Sequence, residues 1–117
     1  MKKILSLIMA LTLAGSVVGC SKSTSNEEAQ GVTDTEILIA NSAATSGAYA
    51  PVGVPFNAGI EAYLDLINKD GGVNGRKIVF KHQDDEFDPV KGKAMLSQFI
   101  EDEKVFAIVG HFGTPVV

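Results

Sequence analysis

Beyond residue 30, short apolar runs alternate with stretches in which apolar residues recur every three or four positions. The runs are residues 37–40 (Ile-Leu-Ile-Ala), the centre of 76–82 (Lys77-Ile-Val-Phe-Lys81) and residues 105–109 (Val-Phe-Ala-Ile-Val). Such unbroken runs predict strands buried on both faces of a parallel sheet. Residues 55–68 predict a helix. Phe56, Ile60, Tyr63, Leu64 and Ile67 share one face, and Glu61, Asp65 and Asn68 share the other. Tyr63 is thereby assigned to the core. Residues 89–102 predict a second helix with Met95, Leu96, Phe99 and Ile100 turned inward. Asp70-Gly-Gly-Val-Asn-Gly75 ends the first helix, with Gly71 or Gly72 as a left-handed cap and Asn74-Gly75 as a tight turn. The order strand, helix, strand, helix, strand predicts right-handed parallel crossovers in an α/β, doubly wound, Rossmann-like sheet.

The first 30 residues follow another pattern. Met1-Lys-Lys is positive, residues 4–18 are apolar or small and uncharged, and Val17-Val18-Gly19-Cys20 follows. The apolar stretch is too short for a comfortable membrane span and has the layout of a secretory signal. Its end resembles the bacterial lipobox, in which a cysteine is acylated and becomes the new N-terminus. Residues 1–19 are therefore expected to be a lipoprotein signal peptide, Cys20 the lipidated residue, residues 20–30 a polar tether and residues 31–117 the folded part. The expected anchor places the protein on the outer side of a bacterial membrane, periplasmic or extracellular.

Formal charge is −4, and loss of Lys2 and Lys3 with the leader makes it −6. An acidic chain without a basic patch is not expected to bind nucleic acid. A single cysteine excludes an internal disulfide and any multi-cysteine metal site. The segment after the first run, residues 41–53, lacks G-x-G-x-x-G, so no dinucleotide cofactor is expected. With a sheet too narrow to be complete, the chain reads as the front part of a longer protein.

Candidate chemistry sits in Gly110-His-Phe-Gly-Thr114, directly after the third run. Ligands of open α/β sheets lie beyond the carboxyl ends of strands. Gly110 and Gly113 allow backbone amides to approach a ligand closely, and Thr114 adds a hydroxyl. The bland alternative is a strand-to-helix turn capped by Thr114. Four acids in Asp84-Asp-Glu-Phe-Asp88 suggest a cation, but the spacing lacks the alternating ligands and central glycine of a calcium loop. Asp88-Pro89 reads instead as a helix N-cap followed by proline in the first turn, and no metal site is expected. His111 beside Thr114 raises an activated threonine, but no orienting acid lies nearby in sequence. A turn residue or ligand wall is the favoured reading of His111.

Four segments in register carry a resemblance: residues 31–37 (Gly-Val-Thr-Asp-Thr-Glu-Ile), residues 68–78 with Gly-Gly-Val-Asn-Gly-Arg-Lys-Ile, Asp84-Asp85 with Asp88-Pro89, and residues 109–115 (Val-Gly-His-Phe-Gly-Thr-Pro). Together they resemble the type I periplasmic binding proteins, in particular the branched-chain amino acid (Leu/Ile/Val) group that serves ABC importers. The resemblance implies two Rossmann-like lobes closing on a solute, with this chain forming an incomplete first lobe. It implies a branched-chain amino acid or related small carboxylate as ligand, ABC permease subunits as partners and no catalysis. The ligand carboxylate would meet Thr114 and the amides around Gly113, with Ser46, Tyr49 and Val52 forming nearby wall. Val52 stands where the family often has an aromatic residue. Phe87 and Gly113 stand where leucine-type members have a disulfide. Two other classes are weighed against this: a lipid-anchored extracytoplasmic hydrolase and the sensory lobe of a receptor.

Overall fold

The computed structural model describes residues 29–117; the expected leader, Cys20 and most of the tether lie outside the described residues. Strand β1 (Glu36–Ala43) leads through a short 3-10 turn (Gly47–Tyr49) into helix α1 (Ala50–Lys69). Strand β2 (Lys77–Asp84) precedes helix α2 (Pro89–Ser97), which widens into a π-helical turn (Gln98–Asp102) before strand β3 (Ala107–Ile108). The sheet is parallel with order β2-β1-β3, as the alternation of runs and helices predicts.

Alternation along β1 assigns each helix its face. Leu38 and Ala40 pack with Met95, Phe99, Val105 and Ile108 under α2 and its π turn. Asn41 points the other way, to Asn57 on α1. One helix on each side of the sheet is the doubly wound arrangement.

Several boundaries differ from expectation, each for a local reason. β1 continues through Asn41, Ser42 and Ala43, which pair with His82, Gln83 and Asp84 of β2. Small polar residues suggest a loop, but Asn41 and Ser42 are fully buried and bonded to other side chains. α1 starts five residues before Pro55, because Pro51 occupies its first turn, where a missing N–H costs nothing. Gly53 lets that turn press on β1: a Cβ there would lie 1.8 Å from the Ala44 carbonyl oxygen. β3 is only two residues long; Val105 turns into the core, while Phe106 and Val109 are exposed.

Three inward assignments are corrected. Tyr63 is 66% exposed and Phe56 39%, whereas Ile60, Leu64 and Ile67 are half-buried. A sheet of three strands covers only part of the apolar stripe on α1. Ile100 is exposed as well, because the π turn, closed by Glu103 N–H to the Gln98 carbonyl, rotates it away from Phe99. The acidic end of that helix also has a role. Glu103 accepts from Lys81 on β2 and from Gln98, and the Lys81 ammonium foremost holds its carboxyl below the ordinary range.

Candidate functional site

All three strands are parallel, so the loops after β1, β2 and β3 emerge at one end of the sheet. A buried polar network underlies that end. The Gly110 carbonyl can only accept, so the amide nitrogen of Asn41, 3.1 Å away, faces it. The same nitrogen donates to Asn57 Oδ1 at 2.9 Å, which turns the Asn57 amide nitrogen toward His82 Nδ1 at 2.7 Å. His82 Nδ1 is shared between that amide nitrogen, from which it can accept, and Asn41 Oδ1 at 3.1 Å, to which only a protonated Nδ1 can donate, while Nε2 lies 3.1 Å from Thr45 Oγ1. Desolvation by burial is the main cause that lowers the pKa of His82, against the opposing charges of Asp84, Glu61 and Asp85.

A second chain of contacts ties the other face. Ser42 donates to Asp85 Oδ2 at 2.6 Å and lies 3.2 Å from His111 Nδ1, while His111 Nε2 contacts the Val116 carbonyl at 2.6 Å. An acid does orient His111 indirectly, through Ser42, which the linear sequence could not show. The hydroxyl in this chain is Ser42, not Thr114, and it is fully buried between its partners. A nucleophile must reach a substrate carbonyl, so the arrangement is structural rather than that of a hydrolase.

The acidic run is consumed by capping and turn formation. Asp88 Oδ1 accepts from the N–H groups of Val90 and Lys91 as the N-cap of α2. Asp84 Oδ1 accepts from the N–H groups of Thr45, Ser46 and Glu86. Burial pushes the Asp84 carboxyl up, but the Ser46 side chain and these amides together hold it below the usual range. Asp85 Oδ1 accepts from Phe87 N–H, holding Phe87 at φ 65 after Glu86 at φ 54.

Above the network lies a row of aromatic rings. Tyr49 stacks on Phe87 with centroids 3.8 Å apart, Phe87 meets Phe112 at 6.1 Å, and Phe112 meets Phe56 at 5.7 Å. The Phe87 ring also rests against Gly113, where a Cβ would come within 2.8 Å of it. The family resemblance places Phe87 and Gly113 at linked positions, and here the two are in contact. One ring therefore joins all three loops.

Of the residues singled out in the sequence, Tyr49 and Gly113 meet through Phe87. Ser46 is exposed and tied to Asp84 by its backbone. Val52 is 53% exposed in the first turn of α1. Thr114 is exposed in a turn closed by Val116 and Val117 N–H groups on the Gly113 carbonyl, and its side chain makes no hydrogen bond among the described residues. Asn41, Asn57, His82, Ser42 and Phe87 were not foreseen. A cavity of about 230 Å³ lies elsewhere, between α1 and β2, lined by Glu61, Asp65, Asn68 and Ile78 among others. Ile78 is the second residue of β2, so this cavity sits toward the amino ends of the strands, away from the loops.

Comparison with known proteins gives a consistent result. A family model described as periplasmic binding protein matches residues 36–117. Leu/Ile/Val-binding protein homolog 2 of Brucella abortus is 31% identical over 86 residues, 74% of this chain and 23% of that protein. Among solved structures, a fatty acid ABC transporter substrate-binding protein from Thermomonospora curvata is 32% identical with a TM-score of 0.69, over 75% of this chain and 22% of that one. A solute-binding protein of an ABC transporter from R. palustris, in complex with benzoate, is 30% identical with a TM-score of 0.59, over 69% of this chain and 22% of that one. The chain thus spans about a quarter of the length of the relatives it matches.

Proposed function

The chain belongs to the periplasmic binding protein family, and from that premise we propose that it serves as the solute-binding subunit of an ABC importer, taking a small carboxylate-bearing solute. The family works outside the cytoplasm, and its relatives here include Leu/Ile/Val-binding proteins. One observation carries the reading: the loops after the three strands converge on Phe87 at the carboxyl end of the sheet, beside the unengaged hydroxyl of Thr114. The named solutes of the relatives, branched-chain amino acids, a fatty acid and benzoate, share a carboxylate and little else. The Gly113–Thr114 turn supplies what a carboxylate needs. It offers the Thr114 hydroxyl, unbonded among the described residues, and the backbone N–H groups of Gly113 and Thr114, donors of the kind that offset the desolvation of an anion.

Residues 31–117 are read as the beginning of the first of two lobes, with Ser46, Tyr49 and Val52 as wall and Gly113 and Thr114 as anion contacts. Residues 1–19 are read as a lipoprotein signal, Cys20 as the acylated residue and residues 20–30 as the tether, with permease subunits as partners at the membrane.

Calorimetry of the full-length mature protein against amino acids and small carboxylic acids tests the solute reading. Saturable binding without product formation supports it; product formed from a bound solute refutes it. Palmitate labelling that disappears in Cys20→Ser tests the anchor, and labelling that persists refutes it.

A further inference from the structure

We propose that the site selects a solute carrying a planar aromatic ring, and that the outer face of Tyr49 is the platform on which the ring stacks. The inference rests on the solute-binding reading above and deepens it. Tyr49 is 46% exposed although it stacks on Phe87 at 3.8 Å with the planes 20° apart. One face is therefore covered, and the exposure belongs to the other face and the phenol edge. Phe87 beneath it cannot yield. Gly113 lies against its ring, and Asp85 Oδ1 binds its N–H and holds a backbone conformation that non-glycine residues rarely adopt. A ring held this way is a preorganised surface, so little side-chain entropy is lost when another ring is laid on it.

The neighbouring exposed wall is apolar too. Val52, three residues along the start of α1, is half-exposed, and Phe56 continues the row toward Phe112. Thr114 adjoins Gly113, against which the Phe87 ring rests. The proposed carboxylate contacts and the ring stack therefore meet at Phe87. Flexible aliphatic chains gain less from such a surface, because stacked rings contribute beyond the area they bury.

The test uses the full-length mature protein and matched acids of equal carbon count: benzoate against cyclohexanecarboxylate, and phenylacetate against cyclohexylacetate. Calorimetry is expected to give the planar member of a pair about tenfold tighter binding. Tyr49→Phe is expected to keep that ratio and Tyr49→Leu to reduce it to about twofold, with melting curves confirming that both variants are folded. Equal affinity within both pairs, or binding of aliphatic acids alone, overturns the aromatic inference and leaves the carboxylate receptor standing. A ratio unchanged in Tyr49→Leu overturns the platform. If no carboxylic or amino acid binds, the solute reading falls and takes this inference with it.

Discussion

The carbonyl of Gly110 sets which amide atoms face His82, although the two residues do not touch. The carbonyl orients Asn41 and Asn41 orients Asn57, so that His82 Nδ1 meets the Asn57 amide nitrogen at 2.7 Å and Asn41 Oδ1 at 3.1 Å. Asn41 is fully buried and Asn57 nearly so, which makes each of these bonds costly to lose. Three strand ends are joined by one sequence of hydrogen bonds that closes on the His82 imidazole.

Acid should therefore weaken the fold through His82. Its pKa is lowered in the folded protein, chiefly by desolvation, so the unfolded chain binds the proton more readily. This stabilisation is fully present above the unfolded value, about pH 6.5, and is lost as pH falls below it toward the depressed folded value. The denaturation midpoint of wild type, followed from about pH 8 to about pH 5, should drop more steeply than that of His82→Gln. Parallel curves would show that His82 is not the group responsible.

Gly113 is predicted to be intolerant of any side chain. Its φ is 123°, and a Cβ would lie 2.8 Å from the Phe87 ring and 2.9 Å from Val116 Cγ2. Gly113→Ala should cost about 1–3 kcal/mol of stability, measured by denaturant unfolding. Phe87→Leu in the same background should recover part of the loss, because the clash is with that ring.

Much of this arrangement was legible in the sequence. Apolar runs separated by helical periodicity define the parallel sheet, because a strand buried on both faces leaves an unbroken apolar trace. Asp88-Pro89 announces its own cap, and Gly110 marks the point at which the third run gives way to its loop. The polar network was illegible for a physical reason. Asn41, Ser42, Asn57 and His82 look solvated one at a time, and are joined in a network only when crossovers bring partners separated by 16 to 69 positions into bonding distance. Tyr63 failed in the opposite sense, since periodicity reveals which face is apolar and not how wide a sheet lies beneath it.

Thr114 should affect binding and leave folding alone. It is exposed, and its side chain makes no hydrogen bond among the described residues, so removing the hydroxyl orphans nothing. In the full-length mature protein Thr114→Ala should leave the melting temperature unchanged and weaken carboxylate binding by about 1–3 kcal/mol. Unchanged affinity in calorimetry would remove Thr114 from the site, even if other loop residues remain in it.

Asp85 and Ser42 make the opposite case, in which the hydroxyl is structural. Both are fully buried, and the Ser42 hydroxyl gives its hydrogen to Asp85 Oδ2 while Phe87 N–H goes to Oδ1. Asp85→Ala strands two donors in a site closed to water, and each orphan costs about 1–3 kcal/mol. Ser42→Ala strands one carboxylate oxygen and also takes a partner from His111. The double variant removes the hydroxyl together with its acceptor, so its loss should fall short of the summed single losses by about 0.5–3 kcal/mol. Denaturant unfolding of the four proteins measures that shortfall. Additive losses would mean that the Ser42–Asp85 bond contributes nothing of its own, and that the β2 loop is held over β1 by the Asp84 contacts and the Phe87 ring alone.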